Sequence, residues 1–300
     1  MARDLLYQSA ESCGKRGSNS KMVAIKFESQ GTTITMNNQF LRHAIGAAVL
    51  AAGMLSSGVA SATTWDMRNN DGCGASGEPL CSSAYGNTRQ YTAGGVKLTA
   101  AAYSDTGGTA NTAGDSRPIE TAYLGHYSGN GLGVTNQDES SGSPNHAVDN
   151  NARFDSVRLA FDTSVRLTDV YFGWDNGDTD FTVLYWTGPG SPTLLGDTYG
   201  GLPPDWALLN HYDSFGSGTK SLGNTSVFSQ YWVIMAYNNV FAGSSVNLDG
   251  NGNSPDEGDD YFKIGSVTAA NQTRKVPEPG SLALLGLGLV GLGASRRRTR

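Results

Sequence analysis

The chain has 300 residues, a formal charge of −6 and only 16% charged side chains. The charge is uneven: from Thr63 to Val276 there are 11 Lys+Arg against 23 Asp+Glu, and 19 of those acids are Asp. Such a body has too little Lys and Arg to hold nucleic-acid phosphates or an anionic membrane surface.

In chain order, residues 1–35 are polar and basic, and read as an over-extended or disordered leader. Met36, or Met22, is the expected start; a long n-region is the alternative. Ala44 to Val59 is apolar, Arg42 precedes it, and Ala60-Ser61-Ala62 follows. Residues 36–62 therefore read as a secretory signal peptide, with cleavage between Ala62 and Thr63 at an A-x-A site. The apolar run is too short and too rich in Ala and Gly to be read as a membrane span.

Residues 63–275 are long enough for one extracytoplasmic domain with a sizeable core. Cys73 and Cys81 flank the turn-rich GASGEPL. In an exported chain this even pair reads as a disulfide. Closing a loop of about nine residues would add roughly 2–3 kcal/mol by the chain-entropy model. Two free thiols are the alternative; zinc would need more ligands.

Runs rich in β-branched and aromatic residues predict strands at Val96–Tyr103, Ser156–Asp162, Val165–Trp174, Asp180–Trp186, Tyr231–Asn238 and Asp260–Val267. Alternation puts Val157, Leu159 and Phe161 on one face, and points Phe172, Trp174, Val183 and Tyr185 inward. Trp206–Tyr212 is the best candidate for a short helix. Residues 105–115, 136–145 and 241–258 read as exposed loops. The expected fold class is all-β: an antiparallel β-sandwich, jelly-roll-like, with long loops. A signal peptide precedes it and one C-terminal transmembrane helix follows.

Three polar clusters are candidate sites. Asp249, Asn251 and Asn253 follow D-x-N-x-N, the spacing that puts alternate oxygens around Ca²⁺, and Asp256 and Asp260 continue the set. Ser254 at the sixth position and Asp260 at the twelfth rule out an EF-hand, so this is either a Ca²⁺ loop on a β-scaffold or a solvated acidic loop. Asp175, Asn176, Asp178 and Asp180 read as a hairpin turn, with a cation shared with Asp149 and Asn150 as the sharper alternative. His146, Asp149 and Asn150 read as a hydrogen-bonded corner at a strand entry. No nucleophile, G-x-S-x-G or H-E-x-x-H accompanies that His–Asp pair, so the expectation is a non-enzyme. A polysaccharide hydrolase, the remote alternative, would need two carboxylates about 5–10 Å apart across a cleft. Ca²⁺ is the only cofactor the sequence offers. Trp174, Trp186, Trp206 and Trp232 are mostly expected in the core, with one or two rings left to stack on sugars.

At the end, Val276-Pro277-Glu278-Pro279 interrupts regular structure. Ser281 to Ser295 carries no charge, and Arg296, Arg297, Arg298 and Arg300 follow. An uncharged run beside arginines reads as a membrane helix with its basic end cytoplasmic. Fifteen residues span roughly 22 Å, short of a hydrocarbon core of about 30 Å. Gly286, Gly288, Gly291 and Gly293 weaken it further as a permanent anchor. The formal G-x-G-x-x-G from Gly286 to Gly291 is not a dinucleotide site, because only nine residues follow it.

The Val-Pro-Glu-Pro motif, the apolar run and the arginine cluster resemble the PEP-CTERM sorting signal. The N-terminal signal reads as entry through the Sec translocon and removal of the leader by signal peptidase, and the resemblance implies processing near the motif by an exosortase. It further implies the envelope of a Gram-negative, exopolysaccharide-producing and often biofilm-forming cell, with the chain held in the membrane by its C-terminal helix before release to the cell surface. The order GLGV (131–134), HAVDN (146–150), FDSVRLAFD, VYFGW, FTVLYW and DDYFKI is similar to the body of a group of exosortase-dependent surface proteins. That likeness implies an address and no reaction. The expected function is a structural or adhesive partner of exopolysaccharide. A Ca²⁺-dependent carbohydrate-binding module is the alternative.

Overall fold

The structure is a computed structural model that describes residues 22–26, 33–37, 62–73, 82–107, 117–140 and 142–271. The apolar part of the signal, Cys81 and the sorting tail from Val276 to Arg300 lie outside the described residues. The chain divides into two units, Met1–Val59 and Ala60–Arg300. The first is described only as an antiparallel hairpin of β1 (Met22–Lys26) and β2 (Thr33–Asn37).

Among the described residues of the second unit, regular structure is strand apart from one 3-10 turn at Tyr199–Gly201. Its elements are β3 (Ala62–Asp66), β4 (Thr88–Ala93), β5 (Val96–Ser104), β6 (Glu120–Thr121), β7 (Tyr123–Tyr127), β8 (Gly131–Thr135) and β9 (Val148–Asp149). Then come β10 (Asp155–Asp175), β11 (Phe181–Trp186), β12 (Trp206–Asp213), β13 (Gly218–Ser221), β14 (Ser229–Ala236), β15 (Ser245–Asn247) and β16 (Tyr261–Asn271). They form one hydrogen-bonded network whose main path runs β15-β12-β11-β14-β10-β16-β8-β7. The pairs are antiparallel except β12 with β15.

The two strands expected at 156–162 and 165–174 are one continuous strand. Thr163 and Ser164 read as a break, but β10 runs through them with a shift of register between Ala160 and Val165. Its first half pairs with β5 and β14; its second half pairs with β16 and β13. Both sets contribute to one apolar cluster that includes Trp65, Leu98, Leu159, Phe172, Val183, Trp232 and Ile264. A smaller cluster, with Tyr103, Phe154, Leu184, Tyr199 and Met235, uses alternate positions of some of the same strands. Ser156 is thus buried although it lies opposite Val157 and Leu159, which are also buried.

The helix expected at Trp206–Tyr212 is instead β12. Ala and Leu favour helix locally, but pairing with β11 overrides that preference, with a register shift at Val183 and Leu184. Tyr212 then stacks on Phe181 at 4.6 Å between centroids. The loop expected at 241–258 contains β15, and the loop expected from Asp105 begins buried. Phe172 and Val183 are buried as expected, whereas Trp174 and Tyr185 are half-buried.

Candidate metal centre

Three segments distant in sequence meet at one end of this network. The link after β10 brings Asp178 and Asp180, the segment before β16 brings Asp256, Asp259 and Asp260, and Asn150 follows β9. The expected hairpin at 175–180 does not form, because β14 lies between β10 and β11. Asp175 instead caps a turn, its Oδ1 accepting from Gly177 N at 3.1 Å, and Asp178 bridges to Asp260.

Asn150 is the hub. Its Nδ2 donates to Asp260 Oδ2 at 2.6 Å and to Tyr237 O at 3.1 Å. Its Oδ1 accepts from Gly258 N at 2.9 Å and Asp260 N at 3.2 Å. Asp260 Oδ1 accepts from Asp180 N at 2.5 Å. Asp180 in turn accepts from Ser214 N at 2.6 Å and Asp256 N at 3.1 Å. Every carboxylate oxygen of Asp180 and Asp260 therefore has a donor. Beneath the corner Phe181 stacks on Tyr212 and meets Phe172 edge-on at 5.1 Å, while Phe172 stacks on Phe262 at 4.1 Å. These rings fix the strand ends that carry Asp180 and Asp260.

Crowding shows in the acidities. Burial pushes Asp180 up to about 7; the Ser214 hydrogen bond opposes this and Asp178 adds to it. Burial also holds Asp260 well above the usual carboxylate range, with Asp180 and Asp178 contributing. Asp178 is raised by burial and then by Asp259 and Asp256. One oxygen each of Asp178, Asp180 and Asp260 lies within 4.8 Å of the others, and the same holds for Asp178, Asp256 and Asp259. The inner set is tied up in hydrogen bonds. The outer set, with Asp256 and Asp259 exposed, is open to a hard cation.

Of the Ca²⁺ set expected from D-x-N-x-N, Asp256 and Asp260 reach this corner. Asp249, Asn251 and Asn253 do not: they close a turn on themselves. Asn251 donates to Asp249 and accepts from Asn253 N at 2.9 Å and from Asn247 at 3.3 Å. The expected corner of His146, Asp149 and Asn150 also separates. His146 packs against Tyr127 and Trp174, and its Nδ1 has no partner. Asp149 lies with Glu139 and Asp155. Only Asn150 joins the acidic corner. Local reading missed Ser214 and Phe215, which carry no motif of their own; Asp259 lies inside the acidic run from Asp249 to Asp260 but off its D-x-N-x-N spacing. Trp206 and Trp232 are core, and Trp174 and Trp186 are half-buried. Cys73 is disulfide-bonded; Cys81, its expected partner, lies outside the described residues. Thr63 pairs with Ala269, so the expected leader-cleavage bond is the first of β3. Ala60 lies outside the described residues.

The corner offers carboxylate, amide and hydroxyl groups in a hydrogen-bonded set, and the fold alone assigns it no destination or reaction. Comparison with family models matches residues 275–298 to the PEP-CTERM protein-sorting motif. This is a PEP-CTERM protein. The signal marks exosortase-dependent sorting to the cell envelope, with exosortase as the processing partner. Val276, Pro277, Glu278, Pro279, Arg296, Arg297 and Arg298 all fall inside the matched span. No curated protein and no solved structure matches the chain. Among the described residues of this PEP-CTERM protein, no helix is long and apolar enough to cross a membrane.

Proposed function

We propose that this PEP-CTERM protein works at the cell surface as a non-catalytic, adhesive partner of exopolysaccharide, and that its acidic corner is the contact face. The observation that carries this reading is Phe215, 62% exposed. Its neighbours hold it at the corner: Ser214 N donates to Asp180, and Gly216 N donates to Gly177 O at 3.0 Å. A large apolar ring fixed at a rim of carboxylates suits the apolar face of a sugar ring. The two strand sets joined by β10 are read as the layers of a sandwich presenting this face. Co-sedimentation of the full-length chain with purified exopolysaccharide tests the reading. Phe215→Ala should weaken binding at least tenfold, and equal retention of both proteins would count against it.

A second reading, Ca²⁺-dependent carbohydrate binding, is favoured by the open set Asp178, Asp256 and Asp259. It requires that EDTA abolish the same co-sedimentation. A hydrolase would instead release reducing sugar from the polymer.

A further inference from the structure

A second group of carboxylates lies outside that corner and differs from it chemically. Glu139, Asp149 and Asp155 each place one oxygen within 4.8 Å of the others. Asp149 is 1% and Asp155 0% exposed. Each carboxylate is fixed through one oxygen only. Asn136 N donates to Glu139 Oε1 at 2.8 Å, Asn136 Nδ2 to Asp155 Oδ1 at 3.2 Å, and Asn151 N to Asp149 Oδ1 at 3.1 Å. The remaining oxygens, Asp149 Oδ2 and Asp155 Oδ2, are buried without a close hydrogen-bond partner, the Ser104 hydroxyl being the one further donor set against Asp155. Two such acceptors in one cluster carry a large desolvation cost unless something fills the place of a donor.

The nearby cations do not fill it. Arg117 and Arg153 both bind Asp138, at 2.6 and 2.8 Å. Lys263 is the remaining positive charge, and its ammonium sits 3.4 Å from the centre of the Trp174 ring, with no hydrogen bond. Ionised, the three carboxylates and Lys263 together carry −2, the charge a divalent cation balances. The spacing agrees. Oxygens on opposite sides of a Ca²⁺ are about 4.6–5.2 Å apart, given bonds of about 2.3–2.6 Å. An all-oxygen set suits a hard cation such as Ca²⁺ better than zinc, whose sites are built mainly around His nitrogen and Cys sulfur. Beside the cluster is a cavity of about 380 Å³ lined by Asn136, Glu139, Ser140, Asn145 and Asn151 among others. That cavity provides a way in, with room for water and further oxygens to complete six to eight ligands.

We propose that Glu139, Asp149 and Asp155 form a buried Ca²⁺ site, distinct from the acidic corner. The site ties the segment around Glu139, β9 and the start of β10 into one unit. Calorimetric titration of the EDTA-treated full-length chain with CaCl₂ tests it. Glu139→Gln should lose one equivalent of Ca²⁺ binding, or weaken it at least tenfold. The Asp256→Asn, Asp259→Asn double variant should keep that equivalent. Unchanged stoichiometry and affinity in Glu139→Gln overturns the proposal, as does the absence of Ca²⁺ binding in the parent. Should Glu139→Gln fail to fold, thermal unfolding of the Asp256→Asn, Asp259→Asn double variant, which lacks the open corner set, decides. A Tm raised by Ca²⁺ but not by equal Mg²⁺ supports the site, and equal Tm in Ca²⁺, Mg²⁺ and EDTA overturns it.

Discussion

Gly133, in the middle of β8, offers a sharp test of how this region is built. A β-carbon there would stand 2.0 Å from His146 O and 3.1 Å from His146 C. Ordinary contact begins at 3.4 Å, so the His146 backbone would have to retreat by about 1.4 Å. It has no room to do so. Ala147 and Val148 are fully buried behind it, and Ala147 O accepts the Val134 amide at 3.1 Å. Overpacking of this kind costs about 1–3 kcal/mol, and a strained Val134–Ala147 hydrogen bond adds about 1 kcal/mol. Gly133→Ala should therefore lose about 2–4 kcal/mol, and for a domain of this size each 2 kcal/mol lowers Tm by about 4–8 °C. Guanidinium unfolding, followed through the buried Trp65 and Trp232, measures it. Gly142→Ala is the control, because its nearest neighbour is Ser140 Oγ at 3.7 Å and its φ is not positive. It should stay within about 0.5 kcal/mol of the parent. If Gly133→Ala did the same, the close approach of the 146–149 segment to β8 would be refuted, and with it the placement of Asp149.

Asn150→Asp puts an oxygen where Nδ2 now donates to Tyr237 O and Asp260 Oδ2. It should cost about 2–4 kcal/mol in denaturant unfolding, and a loss below 0.5 kcal/mol would mean that the corner is not tied together through this side chain. Burial raises Asp105, Asp149 and Asp180 to about 7 and Glu139 to about 8. The folded chain thus keeps protons that the unfolded chain gives up near pH 4, so these groups make stability fall as pH rises towards 8. Tm in EDTA should drop between pH 7 and 8, above the ordinary imidazole value of about 6.5, where His146 and His211, both lowered by burial, are mostly neutral in either state. A Tm that rises across that window contradicts the assignment.

Much of the strand content is legible in short stretches, because runs such as FTVLYW and YWVIMA carry β-branched and aromatic residues that suit a half-buried pleat. What fails is non-local. The insertion of β14 between β10 and β11 is decided by a segment some 50 residues further on, so 175–180 reads as a hairpin turn and is a crossover link. Trp206–Asp213 carries helix-forming residues whose fate is set by β11. The acidic corner is half legible: the Asp-rich segments are visible, but D-x-N-x-N points to Asp249, Asn251 and Asn253, which satisfy one another locally. Glu139 and Asp155 give no signal at all, since a buried carboxylate and an exposed one are the same letter.

The pairing of β3 with β16 sets Ala62 beside Ala270. Both ends of the exported body therefore emerge at one pole, while Asp260 stands just before the opposite end of the same strand. Ten residue steps of β16 separate the two, about 33 Å at 3.3 Å each. A molecule moored by its tail would hold its carboxylates and Phe215 at arm's length from the lipid, facing outward, and cutting the mooring would leave that orientation free to turn.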